Sequence, residues 1–214
     1  MLKHYLSSGY DAFIFDCDGT IADTMGIYHH LWNLSIRTHG AQREIEWEEF
    51  RSNGGRCLRQ TIIEYNNQNG TLLDVDRVLH TLDGLTTQWL PRFKPIHHVV
   101  NLIRAEKKRS MAVASSGKKV NVHYILNNLK IKNHFHSILT REDVQNSKPD
   151  PDLFLLAAER IKKQPKKCIV FEDSPVGEEA ARRAGMDCQR IPYEWWDRDL
   201  FESIGREIRQ AGIV

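Results

Sequence analysis

The period of apolar positions changes along this chain, and the changes mark out its elements. "AFIF" (12–15) is an unbroken apolar run that stops at an aspartate, as a strand buried on both faces would. From about residue 95 onward, helix and strand patterns alternate. "IHHVVNLIRAEKK" (96–108) puts Val99, Val100, Leu102 and Ile103 on one helical side, and "SMAVA" (110–114) reads as a short strand. "VNVHYILNNLKI" (120–131) is helical, "HSILT" (136–140) extended, and "PDLFLLAAERIKK" (151–163) helical again, with Asp150 suited to its N-cap and Pro151 to its first position. "KCIVF" (167–171) is a strand, and "VGEEAARRAG" (176–185) a helix stopped by Gly185. Such alternation predicts an α/β fold, a parallel sheet with helices on both faces.

Residues 24–94 break the alternation. They carry three helical patterns and no convincing strand, with "LPRFKP" (90–95) as a returning hinge. The expected organisation is a Rossmann-like parallel sheet core formed by residues 1–23 and 95–214, with an all-helical cap of residues 24–94 inserted after the first strand. The C-terminal stretch adds an amphipathic helix with Phe201, Ile204 and Ile208 in register, and Trp195-Trp196 is read as cover for a sheet edge or part of a partner surface.

Composition narrows the function classes. A formal net charge of +2 over 214 residues is too small to argue for nucleic acid or a membrane surface as partner, and neither is expected. No run has the length of a membrane span, and the N-terminus lacks the apolar centre of a signal peptide. Four cysteines, at 17, 57, 168 and 188, contain no C-x-x-C pair and fit reduced thiols of a cytoplasmic protein. Ten histidines lack the neighbouring acids or cysteines of a zinc site.

The strand ends carry the candidate chemistry. "FIF" runs into Asp16-Cys17-Asp18-Gly19-Thr20, "MAVA" into Ser115-Ser116-Gly117, "CIVF" into Glu172-Asp173-Ser174, and Lys148 sits in the loop after "HSILT". Parallel strands gather these ends at one edge of the sheet, where open α/β sheets bind ligands. The i, i+2 spacing lets Asp16 and Asp18 face one side and sends Cys17 into the packing. Two like charges 4 Å apart repel by about 4 kcal/mol at an effective dielectric of 20, so Asp16, Asp18, Glu172 and Asp173 together call for a cation. A hard, all-oxygen site favours Mg²⁺. A metal, a lysine, a serine hydroxyl and a helix N-terminus suit a phosphate dianion. Asp16 is then the candidate nucleophile toward phosphorus, and Asp18 the group that protonates the leaving oxygen and later activates water.

These four motifs, in this order, resemble those of the haloacid dehalogenase superfamily of phosphohydrolases. The D-x-D-G-T pattern is Asp16 to Thr20, the motif serine is Ser115, the lysine motif is "SKPDP", and the acidic metal motif is "FEDSPVG". The resemblance implies Mg²⁺ held by Asp16, the main-chain carbonyl of Asp18, and the Glu172/Asp173 pair. Phosphate contacts are expected from Asp18, Gly19, Ser115, Ser116 and Lys148. The helical insertion is similar to the cap of the subgroup with β-phosphoglucomutase, phosphoglycolate phosphatase and fructose-1-phosphatase-like enzymes. That implies a small phosphorylated metabolite as partner, with Asn53, Gly54, Arg56 and Arg59 of "SNGGRCLRQTI" (52–62) facing it.

Three activities stay open at this level: a Mg²⁺-dependent phosphatase acting on a sugar phosphate, a sugar phosphomutase, and a non-enzymatic module that accepts phosphate on Asp16. Mutases of this subgroup use a cap histidine and a cap lysine. Here Tyr28 falls at the histidine's position, with His29 one step away, and "HTLDGLTTQWL" (80–90) has no lysine. Both departures favour hydrolysis. Oligomeric state is not legible.

Overall fold

A computed structural model describes residues 2–7, 9–192 and 198–210. After a 3-10 turn at Leu2–Ser7 come β1 (Ala12–Phe15) and the short β2 (Ala22–Asp23). Four helices follow: α1 (Met25–Thr38), α2 (Trp47–Ser52), α3 (Leu58–Asn69) and α4 (Val75–Trp89). The chain then returns through β3 (Lys94–Pro95) to α5 (His97–Ala105), β4 (Ser110–Ala114), α6 (Lys119–Asn128) and β5 (Ser137–Leu139). It finishes with α7 (Asp152–Arg160), β6 (Cys168–Glu172), α8 (Pro175–Arg183), β7 (Asp187–Arg190) and α9 (Arg198–Gln210).

Five strands form one sheet in the order β5-β4-β1-β6-β7, and every pairing is parallel. β1 lies in the middle because all four of its residues are apolar, and each is fully buried. Alternation along the strands sorts the core into two layers. Phe13 and Phe15 join Val113, Ile169 and Phe171 on one face, where the Phe15 and Phe171 rings stack 4.7 Å apart. Ala12 and Ile14 join Ala112, Ala114, Cys168 and Val170 on the other. There the small side chains let Phe154 and Ala157 of α7, and Ala180 and Ala181 of α8, pack close to the sheet.

β2 and β3 form a two-stranded antiparallel ribbon, with Ala22 opposite Pro95 and Asp23 opposite Lys94. The ribbon brings together the points where the chain leaves the sheet region and re-enters it. Between them the described structure is helices and turns only. Among the described residues, no helix is long and apolar enough to cross a membrane.

The fold matches the α/β expectation, with local differences. β7 was not foreseen: it is an edge strand paired only with β6, and its "DCQR" side chains are exposed or half-buried, so no apolar run announces it. α7 begins one residue later than the capping pattern suggested. Pro151 occupies the N-cap, and the Asp150 N–H closes a turn onto the Ser147 carbonyl at 3.0 Å. α5 stops at Ala105, where the Glu106 carboxylate takes the N–H groups of Lys108 and Arg109 at 2.7 and 3.0 Å. In α9, Ile204 and Ile208 are buried as their register suggested. Gly205 faces the His30 ring of α1, and Arg92 pairs with Glu207. Trp195-Trp196 and the Phe201 side chain lie outside the described residues.

Candidate active site

β1, β4 and β6 end side by side, and their last residues deliver the acids and hydroxyls to one cleft. The Asp16 N–H still donates to the Phe171 carbonyl at 2.9 Å, so the main-chain pairing of β1 with β6 carries its carboxylate to the sheet edge. Cys17 is fully buried in the apolar layer with Phe13 and Phe15. Asp16, Asp18, Ser115, Ser116, Glu172, Asp173 and Ser174 all line the cleft.

Lys148 sits beneath this floor. It is 2% exposed, and its Nζ donates to Asp16 Oδ1 at 2.7 Å and to Glu172 Oε2 at 2.8 Å, while lying 4.7 Å from the centre of the Phe154 ring. Burial alone would push its ammonium down, but the two carboxylates more than reverse that and hold it protonated. Glu172 is satisfied on both oxygens. Its Oε1 accepts from the N–H groups of Asp173 and Ser174 and from the Ser174 hydroxyl, at 3.1, 2.9 and 2.8 Å. Burial opposes its charge, yet Lys148 and Ser174 bring it below the usual carboxylate range. Ser174 also caps α8, accepting from the Gly177 N–H at 2.9 Å. A Cβ on Gly177 would overlap the Glu172 carboxylate, which explains the glycine.

The other acids are less well compensated. Burial pushes Asp16 well above the ordinary range; Lys148 opposes this, and Glu172 reinforces it. Asp173 is pushed well above it too, by burial and then by Glu172 and Asp16. Its carboxylate accepts from the Thr20 hydroxyl at a long 3.5 Å. Ligand oxygens of Asp16, Glu172 and Asp173 lie within 4.8 Å of one another. Asp16 and Glu172 share the Lys148 ammonium, and the half-buried Asp173 adds a third carboxylate beside them with no ion pair of its own among the described residues. The donor set is all oxygen, which fits a hard divalent ion.

Asp18 stands apart from that group. Its carboxylate accepts from the Thr24 hydroxyl at 2.8 Å. Thr24 occupies the N-cap of α1 but makes no side-chain cap bond, because its hydroxyl is committed to Asp18. Burial raises Asp18 above the ordinary carboxylate range, against the pull of Thr24. A Cβ on Gly117 would come within 2.8 Å of Asp18 Oδ2, so the carboxylate rests against the loop after β4. In that loop Ser115 Oγ accepts from the Gly117 N–H at 3.0 Å. Ser116 Oγ is buried without a hydrogen-bond partner among the described residues, a polar atom that a ligand would satisfy.

Two expected phosphate contacts are placed differently. The Gly19 N–H is committed to the Ala22 carbonyl at 2.8 Å, and Gly19 does not line the cleft. Its positive φ of 80° and the clash a Cβ would make with the Asp173 carboxylate account for the glycine. Lys148 faces Asp16 and Glu172 rather than the open cleft.

The helical segment supplies the opposite wall. Asn53, Gly54 and Arg56 line it, together with Met25, Trp32, Ile45, Phe50, Leu58 and Leu82. Arg59 does not: it is turned to Asp76 on α4. Tyr28 lines the cleft, whereas the buried His29 turns its Nε2 to the Ile45 carbonyl at 2.8 Å. Lys118, Asn121 and Arg141 also reach the cleft and were missed in the sequence. All three follow the ends of β4 or β5, so scanning every strand end for polar residues would have found them.

Comparison with known proteins agrees with this geometry. Residues 13–191 match the family model described as haloacid dehalogenase-like hydrolase. YhcW of Bacillus subtilis is 39% identical over 197 residues, covering 89% of this chain and 87% of the relative. Fructose-1-phosphate phosphatase YqaB of Escherichia coli is 32% identical over 182 residues, covering 83% and 94%. The crystal structure of a hydrolase from Pseudomonas syringae superimposes with a TM-score of 0.77 at 23% identity, covering 91% of this chain and 90% of that one, a likeness of fold. With the family model matched across the sheet and its strand-end acids, the chain belongs to the haloacid dehalogenase-like hydrolase family.

Proposed function

We propose that this enzyme is a phosphatase that hydrolyses a small phosphorylated metabolite, a sugar phosphate, through an aspartyl-phosphate on Asp16. The observation that carries the reading is the division of labour between the two motif aspartates. Asp16 is tied to the buried Lys148, while Asp18, two residues on, is held away from that ammonium by Thr24. One acid is thereby suited to act as an anion and the other to exchange a proton.

In this account an Asp16 carboxylate oxygen attacks phosphorus as the bond from phosphorus to the ester oxygen breaks. Protonated Asp18 gives its proton to that departing oxygen. Asp18, now a carboxylate, takes a proton from water as the water attacks phosphorus, which releases phosphate and restores Asp16. Lys148 donates to Asp16 and offsets part of the cost of its charge, and Ser115 and Ser116 offer hydroxyls to the phosphoryl oxygens. Asp16 and Asp173 would hold a Mg²⁺ ion, with the Asp18 carbonyl as a further ligand and Glu172 supporting the site. Bound there, the ion would offset negative charge on the acids and the phosphoryl group.

Two features support hydrolysis over transfer of the phosphoryl group from Asp16 to a second sugar hydroxyl. Tyr28, not His29, faces the cleft. Burial, Asp18 and Cys17 raise the phenol well above its ordinary value, so it is a poor base for a second sugar hydroxyl near neutral pH. The fructose-1-phosphate activity in the name of YqaB supports a sugar phosphate as substrate.

The test is phosphate release from a panel of hexose phosphates, pentose phosphates and phosphoglycolate, with Mg²⁺ and with excess chelator. Metal-dependent release from one of them is the expected result. Isomer formation from a hexose 1-phosphate without phosphate release would overturn hydrolysis in favour of a mutase.

A further inference from the structure

The helical wall of the cleft is poor in hydrogen-bond donors for a ligand. Met25, Trp32, Ile45, Phe50, Leu58 and Leu82 give it an apolar surface. Its polar side chains are for the most part engaged within the protein. The Thr61 hydroxyl donates to the Cys57 carbonyl at 3.1 Å, and the Thr86 hydroxyl to the Leu82 carbonyl at 2.7 Å, each one turn back along the chain. The Asn53 amide donates to the Glu49 carbonyl at 3.1 Å. Asp83 on α4 is paired with Lys118, which precedes α6, so each neutralises the other. Arg56 is tied more loosely, to Glu64 at 3.5 Å, and stays open to a ligand. A phosphate ester with its phosphoryl group at Asp16 lays its alcohol part against this wall. A hydroxyl turned that way gives up water and meets carbon, or an oxygen whose proton is already spent. A deoxygenated ring carbon or a methyl group gains by leaving water there.

We infer that the substrate is a deoxygenated sugar phosphate, one that presents an apolar face to Phe50, Leu58 and Leu82. The inference rests on the reading of the sheet-side acids as the phosphoryl site, and it narrows the sugar phosphate proposed above. A fully hydroxylated hexose phosphate is then a poorer substrate than a counterpart that lacks the hydroxyl facing this wall.

Binding tests this apart from turnover. A series of n-alkylphosphonates, methyl to pentyl, is titrated calorimetrically into the protein in Mg²⁺; their carbon–phosphorus bond resists hydrolysis. Affinity should rise roughly twofold to fourfold per methylene. Phe50→Ala and Leu58→Ala, at half-buried positions, should flatten that rise. In turnover, at least one monodeoxy hexose phosphate should exceed its parent about tenfold in kcat/KM. Affinity that does not grow from methyl to pentyl would overturn the inference, as would a set in which every lost hydroxyl lowers kcat/KM. Phosphate release from the parent hexose phosphates would, in either case, leave the hydrolase reading standing. A rising series with no phosphate release from any ester would keep the apolar subsite and remove the hydrolysis.

Discussion

On its sheet side the cleft is built of buried acids, one buried lysine and three serines, joined into a set of hydrogen bonds that runs from Asp16 through Lys148 and Glu172 to Ser174. On its helical side apolar side chains predominate, with Asn53, Arg56, Thr61, Asp83 and Thr86 among them. The cations there are exposed, and several are paired on the surface, Arg59 with Asp76 and Arg56 with Glu64 at 3.5 Å. The first wall has so many mutual constraints that few residue types can occupy it. The second has few, so its residues are free to follow the shape of a ligand. On the proposed reading, chemistry belongs to the first wall and substrate choice to the second.

That contrast predicts unequal responses to substitution. The largest loss belongs to Asp16→Asn, which keeps size and hydrogen bonding but removes the nucleophile; kcat should fall at least about 10,000-fold with the fold intact. Lys148→Met comes next. It leaves Asp16 and Glu172 buried without their shared cation, and thermal or urea unfolding should show a loss of about 3–5 kcal/mol. An unchanged midpoint would break the picture of a tightly coupled sheet-side wall.

Proton and metal binding follow from the same acids. Asp16, Asp18 and Asp173 are raised on folding, first by burial, so the folded protein binds their protons more tightly than the unfolded chain does. In chelator, their contribution to stability therefore falls as pH rises from the ordinary carboxylate range toward neutrality. Glu172 has the opposite sign: its contribution is present above the ordinary value and is lost as pH falls through its lowered one. A divalent cation competes with the protons on Asp16 and Asp173. Mg²⁺ should thus raise the melting temperature more at about pH 7.5 than at about pH 5. A larger gain at the acidic end would contradict the metal assignment.

The helical wall should answer weakly. Arg56→Ala should raise KM for a sugar phosphate roughly threefold to tenfold with kcat little changed. Arg59→Ala should alter neither KM nor the melting temperature measurably, since the residue is exposed and turned away from the cleft. A large effect at Arg59 would mean that the wall rearranges when ligand binds.

The two walls also differ in how far the sequence reveals them. Asp16, Asp18, Ser115, Glu172 and Asp173 could be read because each ends an apolar run, and strand ends in a parallel sheet must meet. Lys148 was found by the same logic, though its ammonium proves to serve Asp16 and Glu172 beneath the floor. That the Gly19 N–H turns to the Ala22 carbonyl could not be read in advance, because it is set by the path of a loop that no periodicity encodes. Tyr28 reaches the cleft from α1, and no local pattern sets it apart from His29 beside it. Arg56 and Arg59 are three residues apart on adjoining local structure, yet one lines the cleft and the other meets α4; the difference comes from how α3 packs on α4. β7 stayed hidden because an edge strand with wet side chains needs no apolar run.

The most direct test of the account is to look for the phosphoryl group on Asp16. The enzyme would be mixed with a sugar phosphate and Mg²⁺, quenched in acid within milliseconds, digested, and mapped by mass spectrometry. The account predicts a phosphoryl adduct on the peptide that contains Asp16, absent from the Asp16→Asn protein and lost on exposure to hydroxylamine. Turnover of the same substrate with no adduct at any quench time, and with substantial activity surviving in Asp16→Asn, would contradict it.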